Sequence, residues 1–251
     1  MNEHDPTQPE QHYTLMTGRI YDVIYQFKDY ETEAKVIDSL IKDHSTSGGS
    51  DILEVACGTA TYMIELEKLG YHTEGFDLSP GQIKEAKRRM PDTRLEIADM
   101  TDFDMGKQYD AVLCLFSSIG YLENTKQLSQ AIAAMKRHLK PGGVLLVEPW
   151  LSKEQYTAGK EHSITDSDRE ITVTRSNIAE IDGDVSIMNM HHIVTSNTNE
   201  FEQYEFDELH RLYMFSDEEF QKAFDDAGLS STKAAEGLHP GGSSRGLWIA
   251  R

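Results

Sequence analysis

Two patterns of apolar residues divide the chain near residue 150. Before that point, short apolar runs recur between segments whose apolar residues step by three and four, as in amphipathic helices. The runs predict strands at residues 52–55, 73–76, 94–97, 109–116 and 144–147. The segments between them predict helices, such as the one whose buried side carries Ile83, Ala86 and Met90. Strands and helices in this order predict an α/β fold with a doubly wound, mainly parallel sheet.

After residue 150 the apolar residues instead alternate with polar ones, which is typical of antiparallel strands. Residues 171–178 and 185–194 both alternate, and Asp182-Gly183 between them predicts a hairpin turn. Residues 205–215 are interpreted as a third strand. We therefore expect an antiparallel β insertion over the carboxyl edge of the parallel sheet, where open α/β sheets bind ligands.

The last part of the chain returns to the first pattern. Ser216 and Glu219 form the signature of a capping box, and a helix should follow them. Residues 246–250 predict a final strand. This order predicts a flexible tail at 1–12, a ligand-binding domain at 13–150 and 216–251, and an insertion at 151–215 that serves as a lid over an acceptor and as a possible dimer surface.

Charge and cysteine content narrow the possible partners and compartment. The formal net charge is −19, which disfavours binding to nucleic acid or anionic membranes because those surfaces select basic patches. No apolar run approaches the length of a membrane span, and no secretory signal pattern opens the sequence. Cys57 and Cys114 both lie in apolar runs, so we expect reduced core residues and a soluble cytoplasmic protein.

The turn after the first strand is the strongest candidate for ligand binding. A strand, a small-residue turn around Gly58 and a helix follow one another there, which brings backbone N–H groups close to a ligand. The dinucleotide fingerprint requires three glycines, whereas this chain has Ala56, Gly58 and Thr61 at those positions. A nicotinamide oxidoreductase is therefore disfavoured, and an ordinary strand-to-helix turn is the alternative.

Acidic residues follow the next two strands. Asp77, at the end of the second strand, is placed to accept both hydroxyls of a ribose. Asp99, after the third strand, can accept from an exocyclic amine such as adenine N6. The neighbouring Leu78 and Met100 could enclose a purine ring between them. The alternative for both acids is a purely structural role, which for Asp77 is that of a helix N-cap or a turn residue.

These motifs together resemble the class I S-adenosylmethionine-dependent methyltransferases. The matching segments run in the expected order through residues 50–150: Glu54-Val-Ala-Cys-Gly58-Thr-Ala60, Gly75-Phe-Asp77-Leu-Ser79, Ala98-Asp99-Met100, Tyr109-Asp110 and Pro141-Gly-Gly. The resemblance implies a seven-stranded sheet, S-adenosyl-L-methionine as methyl donor and S-adenosyl-L-homocysteine as product. Ala60 replaces the last glycine of the family's loop. Since alanine should tolerate this turn only with negative φ, we expect a slightly displaced helix start.

A narrower resemblance reaches both ends of the chain. Its motifs are Tyr21-Asp-Val-Ile-Tyr25, Lys28-Asp29-Tyr30, Glu33-Ala34, Phe116-Ser-Ser-Ile-Gly-Tyr121-Leu122, Val147-Glu148-Pro149-Trp150 and Ser244-Arg245-Gly246-Leu247. They resemble the N,N-dimethyltransferases of nucleotide-linked amino sugars in desosamine and mycaminose biosynthesis. In that family the insertion helps to build the acceptor site and a dimer, so a homodimer is implied. The Ile171 to Phe206 segment matches least, and the spacer between Tyr25 and Lys28 is shorter than the family's.

The resemblance and the chemistry together assign roles to individual residues. An amine must be neutral to attack a sulfonium methyl group, and Tyr25 and Tyr121 are assigned as catalytic residues that orient it. The expected cofactor contacts are Arg19, Tyr21, Tyr30, Glu54, Ala56, Gly58, Asp77, Leu78, Asp99, Met100, Leu115 and Ser117. The expected acceptor contacts are Ser118, Trp150 and Arg245. The alternative for each tyrosine is a purely structural role, as an aromatic core residue whose hydroxyl is hydrogen-bonded within the protein.

We therefore expect a methyltransferase of a small-molecule amine, with a nucleotide-linked amino sugar as the best single acceptor. The alternatives are an O- or N-methyltransferase of another metabolite and a catalytically silent cofactor-binding module that makes a protein interface. No metal site is expected, because His191 and His192 point to opposite faces of an alternating strand.

Overall fold

The computed structural model describes residues 15–198, 203–238 and 245–251, so the predicted tail at residues 1–12 lies outside them. Its α-helices are α1 (Leu15–Ile24), α2 (Tyr30–His44), α3 (Thr61–Lys68), α4 (Pro80–Arg89), α5 (Thr125–Arg137) and α6 (Asp217–Asp226). The strands up to residue 150 are β1 (Asp51–Val55), β2 (His72–Asp77), β3 (Leu95–Ile97), β4 (Tyr109–Cys114) and β5 (Leu139–Val147). The later strands are β6 (Glu161–Ser167), β7 (Ile171–Asp182), β8 (Val185–Ser196), β9 (Tyr204–Tyr213), β10 (Ser231–Ala234) and β11 (Leu247–Ala250).

The first sheet has seven strands in the order β10-β11-β5-β4-β1-β2-β3. Strands β1 to β5 pair in parallel, and Val55 at the end of β1 is in register with Phe76 of β2 and Cys114 of β4. Strands β10 and β11 run antiparallel at one edge. The predicted seven-stranded, mainly parallel α/β sheet is confirmed. Strand β10 was not predicted, because its sequence Ser-Thr-Lys-Ala carries no apolar pattern.

The centre of this sheet is covered on both faces. Every residue of β4 is buried, which explains why its sequence is a continuous apolar run. Ile132 of α5 and Phe220 of α6 pack on one face. Ile37 of α2 and Leu66 of α3 pack on the other. Cys57 and Cys114 are buried free thiols, as predicted.

The second sheet is antiparallel, with the order β6-β7-β8-β9. Gly183 forms the turn between β7 and β8 with a φ of 62°, so the predicted hairpin is confirmed. Strand β6 was not predicted, since the polar sequence Glu-His-Ser-Ile-Thr-Asp-Ser barely alternates. The capping box of α6 is also confirmed, with both the Ser216 and the Glu219 side-chain hydrogen bonds present.

One face of the second sheet packs on α1 and on the carboxyl end of the first sheet. Ile20 and Ile24 of α1 contact Val173 and Val194 of this face. Trp150, shortly after β5, contacts Met188, Met190 and Leu212. Strand β9 also contacts a 3₁₀ turn at Ser118–Tyr121, after β4. The insertion therefore covers the strand ends, as predicted. Among the helices within the described ranges, none is long and apolar enough to cross a membrane.

Candidate active site

The turn between β1 and α3 exposes backbone groups at the carboxyl edge of the first sheet. Ala56, Gly58 and Ala60 all have left-handed backbones, with φ values of 56°, 55° and 65°. Cys57 donates its N–H to the Phe76 carbonyl, which ties the turn to β2. A Cβ atom at Gly58 would meet only the Gln82 side chain, 4.0 Å away, so the glycine borders open space. This turn therefore forms a backbone cradle.

The expectation for Ala60 is wrong. Its φ is positive, and α3 begins directly after it at Thr61. A left-handed alanine costs about 1–2 kcal/mol. Ala60 is fully buried, and its N–H donates to the Cys57 carbonyl, so packing and this hydrogen bond oppose the strain. The backbone of the cradle therefore adopts the positive φ typical of glycine although the residue is alanine.

Two buried oxygen atoms near the cradle have no hydrogen-bond partner. They are Oε2 of Glu54, on β1, and Oε1 of Gln82, on α4. Burial, together with the nearby charge of Asp77, raises the pKa of Glu54 well above its usual value. Unpaired buried acceptors are rare in folded proteins and indicate a missing donor. A ligand with a cationic amine, such as a methionine ammonium group, fits the Glu54 carboxylate.

Asp77 fixes the other side of the cradle. Its carboxylate accepts the N–H groups of Gly58 and Ser79 at 2.9 and 2.8 Å. Burial raises its pKa, and these backbone donors oppose that effect. Two backbone N–H groups leave further lone pairs of the carboxylate for hydroxyl donors. Asp77 therefore fits the ribose role predicted for it.

The predicted purine-binding residues are only partly as expected. Leu78 is 68% exposed. Ile97, the register partner of Asp77 on β3, is 57% exposed. Met100 instead packs on the hydrophobic core. Ile97, which the sequence interpretation did not single out, is an exposed apolar residue at the end of the strand beside Asp77. Asp99 accepts from the N–H and hydroxyl of Thr101, as a turn residue does.

Helix α1 is tied to the cradle by polar contacts. The Thr59 hydroxyl donates to Asp22 at 2.7 Å, and Arg89 donates to the Thr59 carbonyl and to Asp22. Arg19 lies on the same helix but pairs with Asp168 and Glu170 of the insertion. Since its guanidinium is engaged there, Arg19 fastens α1 to the second sheet, and these contacts do not support its predicted role as a cofactor contact.

The predicted aromatic residues of α1 form one cluster with the end of β4. The rings of Tyr21 and Tyr25 are 4.5 Å apart, and the Tyr25 ring lies 4.9 Å from that of Phe116. Burial is the main cause that raises the pKa of Tyr21, and Tyr121 is among the neighbours that add to it. Tyr25 therefore packs with Tyr21 on Phe116, the residue five positions before Tyr121.

A buried cation lies under this cluster. Nζ of Lys28 is 3.9 Å from the Phe116 ring centroid and 3.3 Å from the Glu33 carboxylate. It also donates to the Tyr62 hydroxyl, whose ring lies 4.9 Å from that of Tyr30. Burial lowers the pKa of Lys28 and raises that of Tyr30. The sequence interpretation quoted Lys28 and Glu33 only as motif residues and missed that they form a buried pair.

The chain after β4 is strained where it meets the site. Phe116 and Ser117 are consecutive left-handed residues without being glycine, with φ values of 52° and 63°. The buried Glu148 carboxylate accepts the Phe116 N–H at 2.7 Å, and the Ser117 hydroxyl donates to the Pro149 carbonyl. Strain that surrounding contacts enforce is concentrated at functional sites. The Leu115 side chain is part of the core, so only its backbone is available to a ligand.

The structure brings the predicted acceptor residues together from three segments. Arg245 donates to the Ser117 hydroxyl at 2.9 Å, and its guanidinium carbon is 4.7 Å from the Trp150 ring centroid. Trp150 donates its indole N–H to the Ser186 hydroxyl. Ser118 begins the 3₁₀ turn that leads to Tyr121. A cation over an aromatic ring therefore borders the site beside the strained turn.

Both tyrosines predicted to be catalytic form hydrogen bonds with side chains of the second sheet. The Tyr25 hydroxyl accepts from Arg175 of β7 at 2.8 Å. The Tyr121 hydroxyl lies 2.7 Å from Nδ1 of His210 on β9, and Tyr121 is 50% exposed. The sequence interpretation missed Arg175 and His210. Both residues lie in strands whose apolar residues alternate, which indicated that one face of these strands is buried. The pattern could not show which segment packs on that face.

Comparison with known proteins gives this arrangement a family. A family model described as a methyltransferase domain matches residues 52–143. An N,N-dimethyltransferase of dTDP-3-amino-3,6-dideoxy-alpha-D-glucopyranose from Streptomyces fradiae is 35% identical over 242 residues, which cover 96% of this chain and 92% of that protein. The match therefore includes α1, the insertion and the last strand as well as the methyltransferase domain.

Solved structures agree. Streptomyces venezuelae DesVI is 33% identical with a TM-score of 0.86, over 93% of this chain and 97% of that one. CalS10, an amino pentose methyltransferase from Micromonospora echinaspora solved with S-adenosylmethionine bound, is 29% identical with a TM-score of 0.79, over 100% and 99%. The chain therefore belongs to the S-adenosylmethionine-dependent methyltransferases, in the family of the dTDP-amino-sugar N,N-dimethyltransferases.

Proposed function

We propose that this enzyme methylates the amino group of a nucleotide-linked amino sugar. The observation that carries the proposal is the convergence of Tyr25 and Arg245 on one short segment: Tyr25 packs on Phe116, Arg245 donates to Ser117, and the turn that follows ends at Tyr121. Two hydroxyls there can orient an amine, and a cation can meet a diphosphate. The relatives that match along almost the whole chain act, by name, on dTDP-amino sugars.

The cradle is proposed to hold S-adenosylmethionine, which supplies an electrophilic methyl group on a sulfonium. Glu54 has an unpaired buried oxygen for the methionine ammonium group, and Asp77 has free lone pairs for the ribose. Ala56 and Gly58 supply backbone, and Leu78 with Ile97 supplies an apolar wall for adenine. Other proposed cofactor contacts at the same edge are Asp99, Met100, Leu115 and Ser117. Tyr21 and Tyr30 are proposed to donate hydrogen bonds to the methionine carboxylate of the cofactor.

The protein contributes mainly position and a dry site to this reaction. Methyl transfer is a displacement in line with the breaking bond, so the amine lone pair must face the donor. The Tyr25 hydroxyl is fixed by Arg175, and Tyr121 by His210. Each oxygen keeps a lone pair for an N–H of the acceptor. Two such contacts orient an amine without a metal.

The arginines at the site suit an anionic acceptor, and Arg245 also lies 4.0 Å from the buried Glu148 carboxylate. The chain carries a net charge of −19, yet Arg245 and Arg175 both face the covered edge. The Arg245 guanidinium stacks on Trp150 and has N–H groups beyond the one that Ser117 accepts. Guanidinium groups suit phosphate oxygens because of their planar, multiple donors. Ser118 and Trp150 complete the proposed acceptor contacts.

The test combines binding and turnover. Calorimetry should show that the protein binds S-adenosylhomocysteine, and a screen over dTDP-amino sugars and common amines should give an N-methylated product from the former. Tyr25→Phe and Tyr121→Phe should each lower turnover while S-adenosylhomocysteine still binds. Full turnover in both variants would overturn the roles of the tyrosines. Product only from simple metabolites would favour the alternative, another small-molecule methyltransferase.

A catalytically silent binding module is disfavoured by the same features, since it has no use for two oriented tyrosines beside a strained turn. We further propose that the protein works in the cytoplasm and that the insertion at residues 151–215 contributes to a homodimer as well as to the acceptor lid. Light scattering on purified protein tests the dimer. A monomer at all concentrations used for turnover would exclude it.

A further inference from the structure

Tyr121 lies at the end of a chain of polar side chains that the second sheet supplies. Nδ1 of His210 is 2.7 Å from the Tyr121 hydroxyl. Nε2 of the same ring lies 3.7 Å from Oε2 of Glu208. Nε2 of His192 is 3.0 Å from that oxygen. The Glu208 carboxylate thus lies within ion-pair distance of two imidazoles, neither of which hydrogen-bonds to it through Nε2, and one of them contacts the proposed catalytic tyrosine.

Strand geometry explains this placement. Glu208 and His210 are two residues apart on β9, so they share one face of the sheet. That face is the one turned toward α1 and Trp150, because Phe206 and Leu212 on it pack there. His192 of β8 pairs with Phe206 and stacks on its ring, with centroids 4.6 Å apart. The stack holds His192 diagonally beside Glu208.

The charge of Glu208, 3.7 Å from Nε2 of His210, acts electrostatically on which ring nitrogen carries the proton. Burial by itself raises the pKa of Glu208, but the neighbouring His192 and His210 outweigh it and hold this pKa at about 2. Glu208 is therefore a carboxylate at neutral pH. A carboxylate beside Nε2 favours the imidazole tautomer with its proton on that atom. The lone pair of Nδ1 then points to Tyr121 and accepts its hydroxyl proton.

We propose that His210, oriented by Glu208, receives the proton that the acceptor's ammonium group loses through Tyr121. The proposal rests on amine methylation as the function and supplies the base for it. The ammonium N–H bond breaks, its electron pair stays on nitrogen, and its proton passes to the Tyr121 oxygen. At the same time the hydroxyl proton of Tyr121 moves to Nδ1 of His210. The products are a neutral amine, an intact phenol and an imidazolium beside Glu208.

This route removes a difficulty of the tyrosine on its own. A phenol has an ordinary pKa near 10, so it is a weak base at neutral pH. In the relay, Tyr121 passes a proton on without becoming a phenolate. His210 acts through Tyr121 and is thus a positioning residue. Other charged or titratable groups at this face include His192 and Arg175, Tyr204 of β9 and Asp166 of β6, with Tyr25 packed against them from the α1 side. Arg175 lies in register with His192 and donates to Tyr25.

The pH dependence of turnover tests the relay. His210→Gln should lower kcat at neutral pH about 100-fold or more, as expected for loss of a positioned base, with the KM for S-adenosylmethionine unchanged. The loss should shrink above the pKa of the acceptor amine, because solvent then supplies neutral amine. Equal loss at every pH, or full turnover at neutral pH, would overturn the proposal.

The neighbouring pair on the other face of the same strands is a matched control. His191 of β8 lies 2.9 Å from the Asp207 carboxylate of β9, and both side chains are exposed. His191→Gln and Asp207→Asn change the same chemistry on the same strands away from the site. Both variants should keep the wild-type pH profile. A changed profile in these controls would indicate a general effect on the sheet and would count against the relay.

A second measurement needs no turnover. Nitrogen NMR shifts of the His210 ring report which atom carries its proton in the protein without substrate. We expect Nε2–H in the wild type and a mixture of tautomers in Glu208→Gln, with no change in Asp207→Asn. A proton on Nδ1 in the wild type would overturn the relay, even in a preparation that is inactive. Absence of any amine methylation with the Nε2 tautomer intact would instead overturn the proposed function.

Discussion

Gly58 donates its backbone N–H to the carboxylate of Asp77, and 2.9 Å separate the two atoms. This bond joins the turn after β1 to the end of β2. Asp77 therefore holds the cradle in shape, and in the proposed site it also presents lone pairs to a ribose. Because one side chain couples loop geometry to ligand contact, its loss should affect binding more than folding.

Asp77→Ala should weaken S-adenosylhomocysteine binding about tenfold or more, because hydrogen bonds to a charged group contribute about 1.5–3 kcal/mol. Calorimetry measures the effect directly. Asp104→Ala is the matched control, since Asp104 accepts the N–H of the residue two positions on, Gly106, as Asp77 accepts from Ser79. Asp104 lies before β4, at the other edge of the sheet. Equal affinity in Asp77→Ala and wild type would remove Asp77 from the site.

Glu54 makes the free protein less stable as the pH rises. Its folded-state pKa lies above the unfolded value near 4.5, because burial and the Asp77 charge oppose ionisation. Between these two values the folded state binds more protons than the unfolded one, so stability falls with increasing pH. Glu54→Gln removes this titration. The stability of the variant relative to wild type should therefore be greater at pH 8 than at pH 5.

Thermal unfolding of both proteins at pH 5 and pH 8 checks this prediction. The same substitution should weaken S-adenosylmethionine binding, because the amide carries no charge for the methionine ammonium group. Glu85→Gln is the control: Glu85 is also buried but is paired with Arg88 at 2.6 Å. A constant stability difference between wild type and Glu54→Gln across this range would contradict the assigned cause.

The Lys28–Glu33 pair predicts a large effect on folding. Both side chains are 3% exposed, so Glu33→Gln leaves a buried cation without its counter-charge. Breaking one partner of a buried pair costs about 3–5 kcal/mol. Glu31→Gln on the same helix breaks an exposed pair with Lys35 and should cost less than about 1 kcal/mol. Denaturant unfolding of the two variants measures the contrast, and similar losses in both would contradict it.

The parts of the fold that depend on local pattern could be predicted from the sequence. Strand β4 is covered on both faces and has a continuous apolar sequence, and Gly183 marks the hairpin between β7 and β8. Strands β6 and β10 could not be predicted because they have no apolar pattern of their own. Pairing with neighbouring strands holds them in place. Ala60 was mistaken because a steric preference of 1–2 kcal/mol is smaller than what tertiary packing supplies.

The site divides in the same way. Gly58 and Asp77 could be placed because strand ends of a parallel sheet meet at one edge. The contacts of Tyr121 with His210 and of Tyr25 with Arg175 join residues 89 and 150 positions apart. No local spacing encodes such contacts, since they depend on how the second sheet lies on α1. Arg19 was predicted as a cofactor contact for the same reason, since its acidic partner on the second sheet could not be predicted from the sequence.

Arg245 should determine how tightly an anionic acceptor binds. Arg245→Gln should raise the acceptor KM about tenfold, with S-adenosylhomocysteine affinity nearly unchanged, because a charge-assisted contact is worth about 1.5–3 kcal/mol. Arg245→Lys keeps the charge but loses the planar stack on Trp150, so it should restore only part of the affinity. Arg211→Gln, at an exposed arginine that pairs with Asp182, is the control and should leave KM unchanged. Steady-state kinetics separate KM from kcat, and an unchanged acceptor KM in Arg245→Gln would show that this arginine has a structural role only.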